Sequence, residues 1–289
     1  MGNGPCPGRG ALTTTPGFRW KKPRARIAGM ASIDPGRSID WGRTSSDYAE
    51  FRPGPPASFY ERLRALGVGI AGQRILDLGT GTGVLAREFA LAGCHAAGVD
   101  ISVEQIEAAR ALALGDGLRV EFRVAPAEDT GLPAASFDVV TANQCWLYFD
   151  RDRVVAEVKR LLAQNGVLVI SHFTYLPRLD PIARRTEEIV LRFNPQWTAA
   201  DWSGDVPAIP RWVRGDFTLA GSFVYDEAIP FTREGWRGRM RACRGVGAAL
   251  SPAEVERFDQ EHATMLSASA PERFNVMHRL HAHVLRPAP

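Results

Sequence analysis

Between residues 57 and 171, short apolar runs alternate with amphipathic segments, and this alternation limits the fold more than any other feature. Residues 74–78, 94–99, 120–124, 137–142 and 166–171 are largely apolar, as strands buried on both faces are. Residues 58–66, 83–92, 102–112 and 152–163 have helical spacing instead. Ser102 with Gln105 predicts a capping box at the start of the third helix, and Asp150 predicts an N-cap for the fourth. Regular strand–helix alternation predicts parallel βαβ units in an α/β sandwich. After Phe173 the rhythm breaks. Residues 174–220 hold five prolines and three tryptophans, so they read as an insertion and not as another strand–helix unit. Residues 222–231 predict a sixth strand, 235–243 and 252–266 two helices, and 273–285 a closing strand. Ser251-Pro252-Ala253-Glu254 predicts a capping box with Pro in the first turn.

The first strand runs into Ile75-Leu76-Asp77-Leu78-Gly79-Thr80-Gly81-Thr82-Gly83. A glycine turn between a strand and a helix places a ligand at the carboxyl end of the sheet. Glycine suits such a turn because it reaches positive φ and lets the backbone approach a ligand. A phosphate-cradling Walker loop needs a Lys after the last glycine, and none follows. A dinucleotide fingerprint spaces its glycines GxGxxG, whereas here the third glycine comes one residue early and the turn holds no basic residue. Asp77 suits a cationic ligand group better than a phosphate. Asp100 ends the second strand, where a carboxylate can accept hydrogen bonds from both ribose hydroxyls. Ala127 and Glu128 follow the third strand, where a small residue and an acid can meet an adenine amino group. Together these features describe a cationic amino-acid moiety, a ribose and an adenine, with no phosphate: S-adenosylmethionine.

These segments resemble the class I methyltransferases, and within them the ubiquinone/menaquinone and trans-aconitate methyltransferase-like branch. The resemblance rests on ILDLGTGTG, on GVD ending at Asp100, on APAEDTGLPAASFDVV and NGVLVIS, and on DYAEFRPGPP (47–56) and NQCWLYFD (143–150). It covers residues 44–173. It implies a Rossmann-like, seven-stranded, mostly parallel sheet of order 3-2-1-4-5-7-6, with the last strand antiparallel and helical lid insertions. It further implies that Asp77, Gly79, Thr80, Gly81 and Gly83 frame the methionine end of S-adenosylmethionine. Asp100 then binds the ribose, Ile101 packs on the adenine, and Ala127 and Glu128 sit at its edge. Asn143 and Gln144 lie under the sulfonium, while Tyr48 and Arg52 fold over the cofactor, Arg52 meeting its carboxylate. One departure is Leu147, which stands where the branch often carries a His.

Residues 34–289 are expected to form one domain, with acceptor-side insertions near 174–220 and 233–270. Trp146, Tyr148, Trp197 and Trp236 are candidate acceptor contacts. His172, at the end of the fifth strand, is the candidate general base. His281 and His283 share a strand face without an acid partner and read as structural, so no metal is expected. Arg237, Arg239, Arg241 and Arg244 read as a solvated helix face that can also meet an acidic substrate. Asn143-Gln144-Cys145-Trp146 lacks the prolines of nucleic-acid base methylation.

Of the formal charge of +3, residues 1–33 contribute +6, so the remainder is −3 and poorly suited to tracking phosphates. Residues 1–33 are expected to be disordered, and their simplest reading is a stretch ahead of a start at Met30. Without CxxC spacing the four cysteines predict free thiols in a reducing cytoplasm. No apolar run approaches the roughly 20 residues of a membrane helix, and no secretory signal is seen. The expectation is a cytoplasmic monomer or homodimer that methylates a specialised small organic acceptor. A nicotinamide-dependent oxidoreductase and a non-catalytic S-adenosylmethionine-binding regulator are the alternatives.

Overall fold

The computed structural model describes residues 34, 39–213 and 215–288. The segment 1–33 lies outside the described residues. A 3-10 turn at Trp41–Thr44 leads into α1 (Ser45–Phe51) and α2 (Ala57–Ala65). Then come β1 (Arg74–Leu78), α3 (Val84–Leu91), β2 (His95–Asp100), α4 (Val103–Gly115), β3 (Glu121–Val124), β4 (Phe137–Asn143), α5 (Arg151–Leu161) and β5 (Leu162–Tyr175). The remainder is α6 (Pro181–Phe193), β6 (Phe217–Thr232), α7 (Arg233–Arg241), α8 (Pro252–Ser269) and β7 (Arg273–Pro287).

The seven strands form one sheet of order β3-β2-β1-β4-β5-β7-β6. The first five are parallel, and β7 runs antiparallel to both β5 and β6. Strand order reverses between β1 and β4, which opens a ligand crevice at their carboxyl ends. Side-chain alternation divides the core. Ile75, Val139, Val169, Phe173 and Tyr175 face one way, in a cluster with Phe59, Leu63, Phe89, Ile106, Ile189, Trp236 and Phe258 from the helices. Leu76, Leu78, Val140, Leu168 and Ile170 face the other way, toward Val154, Val158 and Leu161 of α5.

Several boundaries differ from the sequence reading. The fourth helix stops at Leu161, because Leu162 already turns into extended backbone and starts β5. The Ser102 box is only half made. Ser102 Oγ accepts the Gln105 N–H at 3.2 Å, but the Gln105 side chain donates to Trp41 O, and Ser102 N–H goes to Asp100 Oδ1 at 2.9 Å. The box at Ser251 and Glu254 forms in both directions. Within 174–220 the chain builds α6. Asp180 caps it by accepting from the N–H groups of Ile182 and Ala183, and Pro181 sits in its first turn. That Asp-Pro start signal was present among the prolines that mask it.

Candidate functional site

All three glycines of the turn after β1 adopt positive φ, +60° at Gly79, +56° at Gly81 and +75° at Gly83. They serve different ends. A Cβ on Gly83 would sit 2.6 Å from the Phe122 ring, so this glycine lets α3 close onto β3. A Cβ on Gly79 would meet Cys145 Cβ at 2.9 Å. Around Gly81 there is room, with the Tyr48 ring at 3.7 Å and Gln105 Oε1 at 3.8 Å. Thr80 is buried, and its N–H donates to Val99 O at 2.9 Å, which locks the turn to β2. Asp100 Oδ2 accepts the Gly81 N–H at 2.9 Å and Oδ1 accepts from Ser102. Burial raises the Asp100 carboxyl above its ordinary value, and these two N–H groups oppose that. Beside it Ile101 is 42% exposed, an apolar side chain at the rim of the crevice.

Asp77 is buried on the same sheet face as Thr141, whose hydroxyl donates to Asp77 Oδ1 at 2.7 Å. Burial lifts this carboxyl to about 6. Asn143 Oδ1 accepts from Ser171 Oγ at 3.1 Å. Gln144 has a φ of +62°, an uncommon conformation for a side chain of its size. The strain has a use: its N–H still reaches Ser171 O, while its side chain donates to Phe173 O and accepts from Arg52. The Arg52 guanidinium lies 4.7 Å from the Tyr48 ring centroid. Tyr48, Arg52, Gln144 and the glycine turn therefore converge, although nearly a hundred residues separate Arg52 from Gln144.

The other expected residues lie outside the Arg52–Gln144 convergence. Ala127 is buried in the core on the α5 side, and Glu128 Oε1 accepts the Asp150 N–H at 2.8 Å, tying the β3–β4 connection to the start of α5. Trp146 is buried and stacks on Trp212 at 4.9 Å. Tyr148 meets Trp41 edge-on at 5.5 Å, and burial pushes its hydroxyl up to about 12. Trp197 is packed against Gly245. Trp236 is fully buried, and its Nε1 donates to Thr186 Oγ1 at 3.0 Å. Both are core residues: Trp236 anchors α7, and Trp197 packs in from the turn that follows α6.

His172 requires a correction. Strand alternation turns it to the face opposite Phe173 and Tyr175, where it stacks on His281 at 5.0 Å. Burial and the neighbouring His283 lower it to about 4. It is a neutral imidazole turned away from the Arg52–Gln144 convergence. Among the described residues no group of three or more His, Cys, Asp or Glu is placed to hold a metal.

Residues 76–170 match the family described as a methyltransferase domain. The ubiquinone biosynthesis O-methyltransferase of Bordetella avium is 26% identical over 182 residues, covering 62% of this chain and 66% of that protein. The protein of the same description from Actinobacillus pleuropneumoniae serotype 5b is 31% identical over 136 residues, covering 45% of this chain and 58% of that one. Among solved structures, a protein assigned as a type II methyltransferase from Anaeromyxobacter dehalogenans superposes with a TM-score of 0.53 at 27% identity, over 81% of this chain and 97% of its own. Residues 76–170 carry a class I S-adenosylmethionine-dependent methyltransferase domain.

The turn of this methyltransferase fits that cofactor. Gly81 leaves open space where a side chain would intrude, and the buried Gln105 Oε1 and Thr82 Oγ1 beside the turn have no hydrogen-bond partner among the described residues. Asp77 and Asp100 add carboxylates without a basic side chain in the turn. The crevice therefore suits a cationic, hydroxyl-rich ligand better than a pyrophosphate. Among the described residues of this methyltransferase no helix is long and apolar enough to cross a membrane.

Proposed function

We propose that the chain transfers the methyl group of S-adenosylmethionine to a small organic acceptor held beneath α1 and α7. The observation that carries this reading is the closure of the glycine turn on Asp100, with Tyr48, Arg52 and Gln144 gathered beside it. When bound, the cofactor supplies a methyl on a sulfonium and leaves as a neutral thioether. Asp77 would hold its ammonium end, Asp100 its ribose, Ile101 the adenine face, and Ala127 and Glu128 the adenine edge. Asn143 and Gln144 would lie under the sulfonium, with Arg52 at the carboxylate. The chain's own contribution is alignment and exclusion of water, since a neutral leaving group needs no acid.

Several features support a small acceptor over a nucleic acid: the missing prolines after β4, the net negative body and the aromatic surroundings of α6 and α7. The described cysteines, Cys94, Cys145 and Cys243, are free thiols, which supports a reducing compartment such as the cytoplasm. The reading needs no base from His172. His172→Ala is expected to keep turnover within about threefold of the parent across pH, as a surface-independent packing change would.

Calorimetry tests the cofactor. S-adenosylhomocysteine should bind with a Kd on the order of micromolar, the usual range for such ligands, NADH should not, and Asp100→Asn should weaken the binding about tenfold or more. Tight NADH binding without S-adenosylhomocysteine binding would overturn the reading. Binding with no transfer of labelled methyl to any of a broad acceptor panel would leave a regulator in its place.

A further inference from the structure

The arginines that follow Trp236 do different things. Arg237 pairs with Glu234 and Asp259, Arg241 pairs with Asp259, Glu234 and Asp47, and Arg244 pairs with Asp34. Arg239 is the exception. It is 6% exposed, and among the described residues it forms no ion pair. Its guanidinium lies 4.8 Å from the Tyr175 ring centroid and 5.6 Å from that of Trp236, and its polar contact is the Met240 sulfur at 3.7 Å.

A buried cation without a counter-ion is costly, and burial accordingly lowers the Arg239 pKa. Nearby charge makes it worse, because Arg52 is close enough to disfavour it further. The acid that senses Arg239 is Glu187, and that carboxyl is already engaged by the Asp201 N–H at 2.7 Å and the Tyr175 hydroxyl. Burial raises Glu187 to about 7, so it is a partial anion at best near neutrality. His278 on β7 also feels both arginines and stays neutral. The result is two guanidiniums, Arg52 and Arg239, in an aromatic enclosure with a deficit of negative charge.

This enclosure continues the cofactor crevice. Arg52 bonds to Gln144 and lies over Tyr48, which borders Gly81. Phe51, next to Arg52, packs on Gly238, next to Arg239, where any side chain would collide with its ring. Asp47 on α1 and Arg241 on α7 join the two helices from outside at 3.2 Å. Arg239 therefore points inward from the lid toward the acceptor side of the sheet.

We infer that Arg239 receives an anionic group of the methyl acceptor, so that the substrate is a carboxylic acid or a similarly charged small organic acid. This rests on the methyltransferase reading. A planar guanidinium offers a carboxylate two parallel hydrogen bonds, and in a buried site these outweigh what water would give. An acceptor anion also supplies the charge that Glu187 does not.

The test uses the full chain saturated with S-adenosylhomocysteine and a panel of aromatic and aliphatic carboxylates, each titrated beside its neutral amide, benzoate with benzamide among them. Carboxylates should bind at least about tenfold tighter than their amides, the worth of one charge-assisted pair. Arg239→Met should erase that preference, Arg239→Lys should keep part of it, and both should bind S-adenosylhomocysteine within about threefold of the parent. If no carboxylate binds better than its amide while S-adenosylhomocysteine binds well, the inference fails and the methyltransferase reading stands. If Arg239→Met keeps the preference, the anion site lies elsewhere and the inference fails as well. If S-adenosylhomocysteine does not bind, the underlying reading fails instead. The comparison within the parent protein stands even where a variant does not fold.

Discussion

Burial holds the Asp77 carboxyl at about 6, against roughly 3.9 for an aspartate in an unfolded chain. A raised acid is disfavoured in its charged form, so in the ligand-free protein stability declines as pH rises from about 4 to about 6 and is level above that. Binding a cationic group has the opposite preference, because it needs the ionised form. Affinity for S-adenosylhomocysteine should therefore fall about tenfold between pH 7 and pH 5, the window set by that value. Asp77→Asn should weaken binding at pH 7 and flatten this limb, and calorimetry at the two pH values checks both. A parent whose affinity is flat over this range would mean that Asp77 does not meet the cation. Asp77 and the glycines were legible as the end of a strand and a tight turn because strand, turn and helix follow one another in the chain. Arg239 was only half legible. Residues 237 and 241 are four apart and share a helix face, whereas 239 falls about 200° from 237. The sequence therefore separates Arg239 from its neighbours, but says nothing of which face is the inner one.

At the scale of elements, Gly83 carries a consequence for stability. Its positive φ and the Phe122 ring leave no room for a Cβ. Gly83→Ala should lower stability by about 2 kcal/mol or more through strain and the separation of α3 from β3, read from urea unfolding. Trp236 anchors α7, and Trp236→Ala should cost about 3–5 kcal/mol, since it empties a fully buried indole site and removes one hydrogen-bond partner of Thr186. A loss below 1 kcal/mol in either case would contradict the packing described. Strands β1 to β5 were readable because burial on both faces leaves nearly unbroken apolar runs. The β6–β7 ribbon was underestimated because β6 forms the sheet edge, where every residue from 218 to 228 stays partly or fully exposed. Helix α6 was missed because Pro reads as a breaker, although in a first turn it starts a helix.

Across the whole molecule, Phe51 on Gly238 and Asp47 with Arg241 join α1 to α7, which in the proposed reading act together as a lid. Closing on ligands should tighten this contact. Amide hydrogen exchange should slow over residues 45–52 and 233–241 when S-adenosylhomocysteine is added, and Phe51→Ala should reduce that protection. Unchanged exchange in both segments would show that the lid does not sense the cofactor crevice. The local pattern of apolar runs, glycines and acids settles the sheet type and the class of cofactor, because those follow from short-range spacing and backbone sterics. It does not settle which residues line the acceptor side. Gln144 meets Arg52, Arg239 turns inward and His172 turns away through contacts between segments tens to hundreds of residues apart. Such contacts depend on strand order and on the facing of whole elements, and no local spacing encodes them.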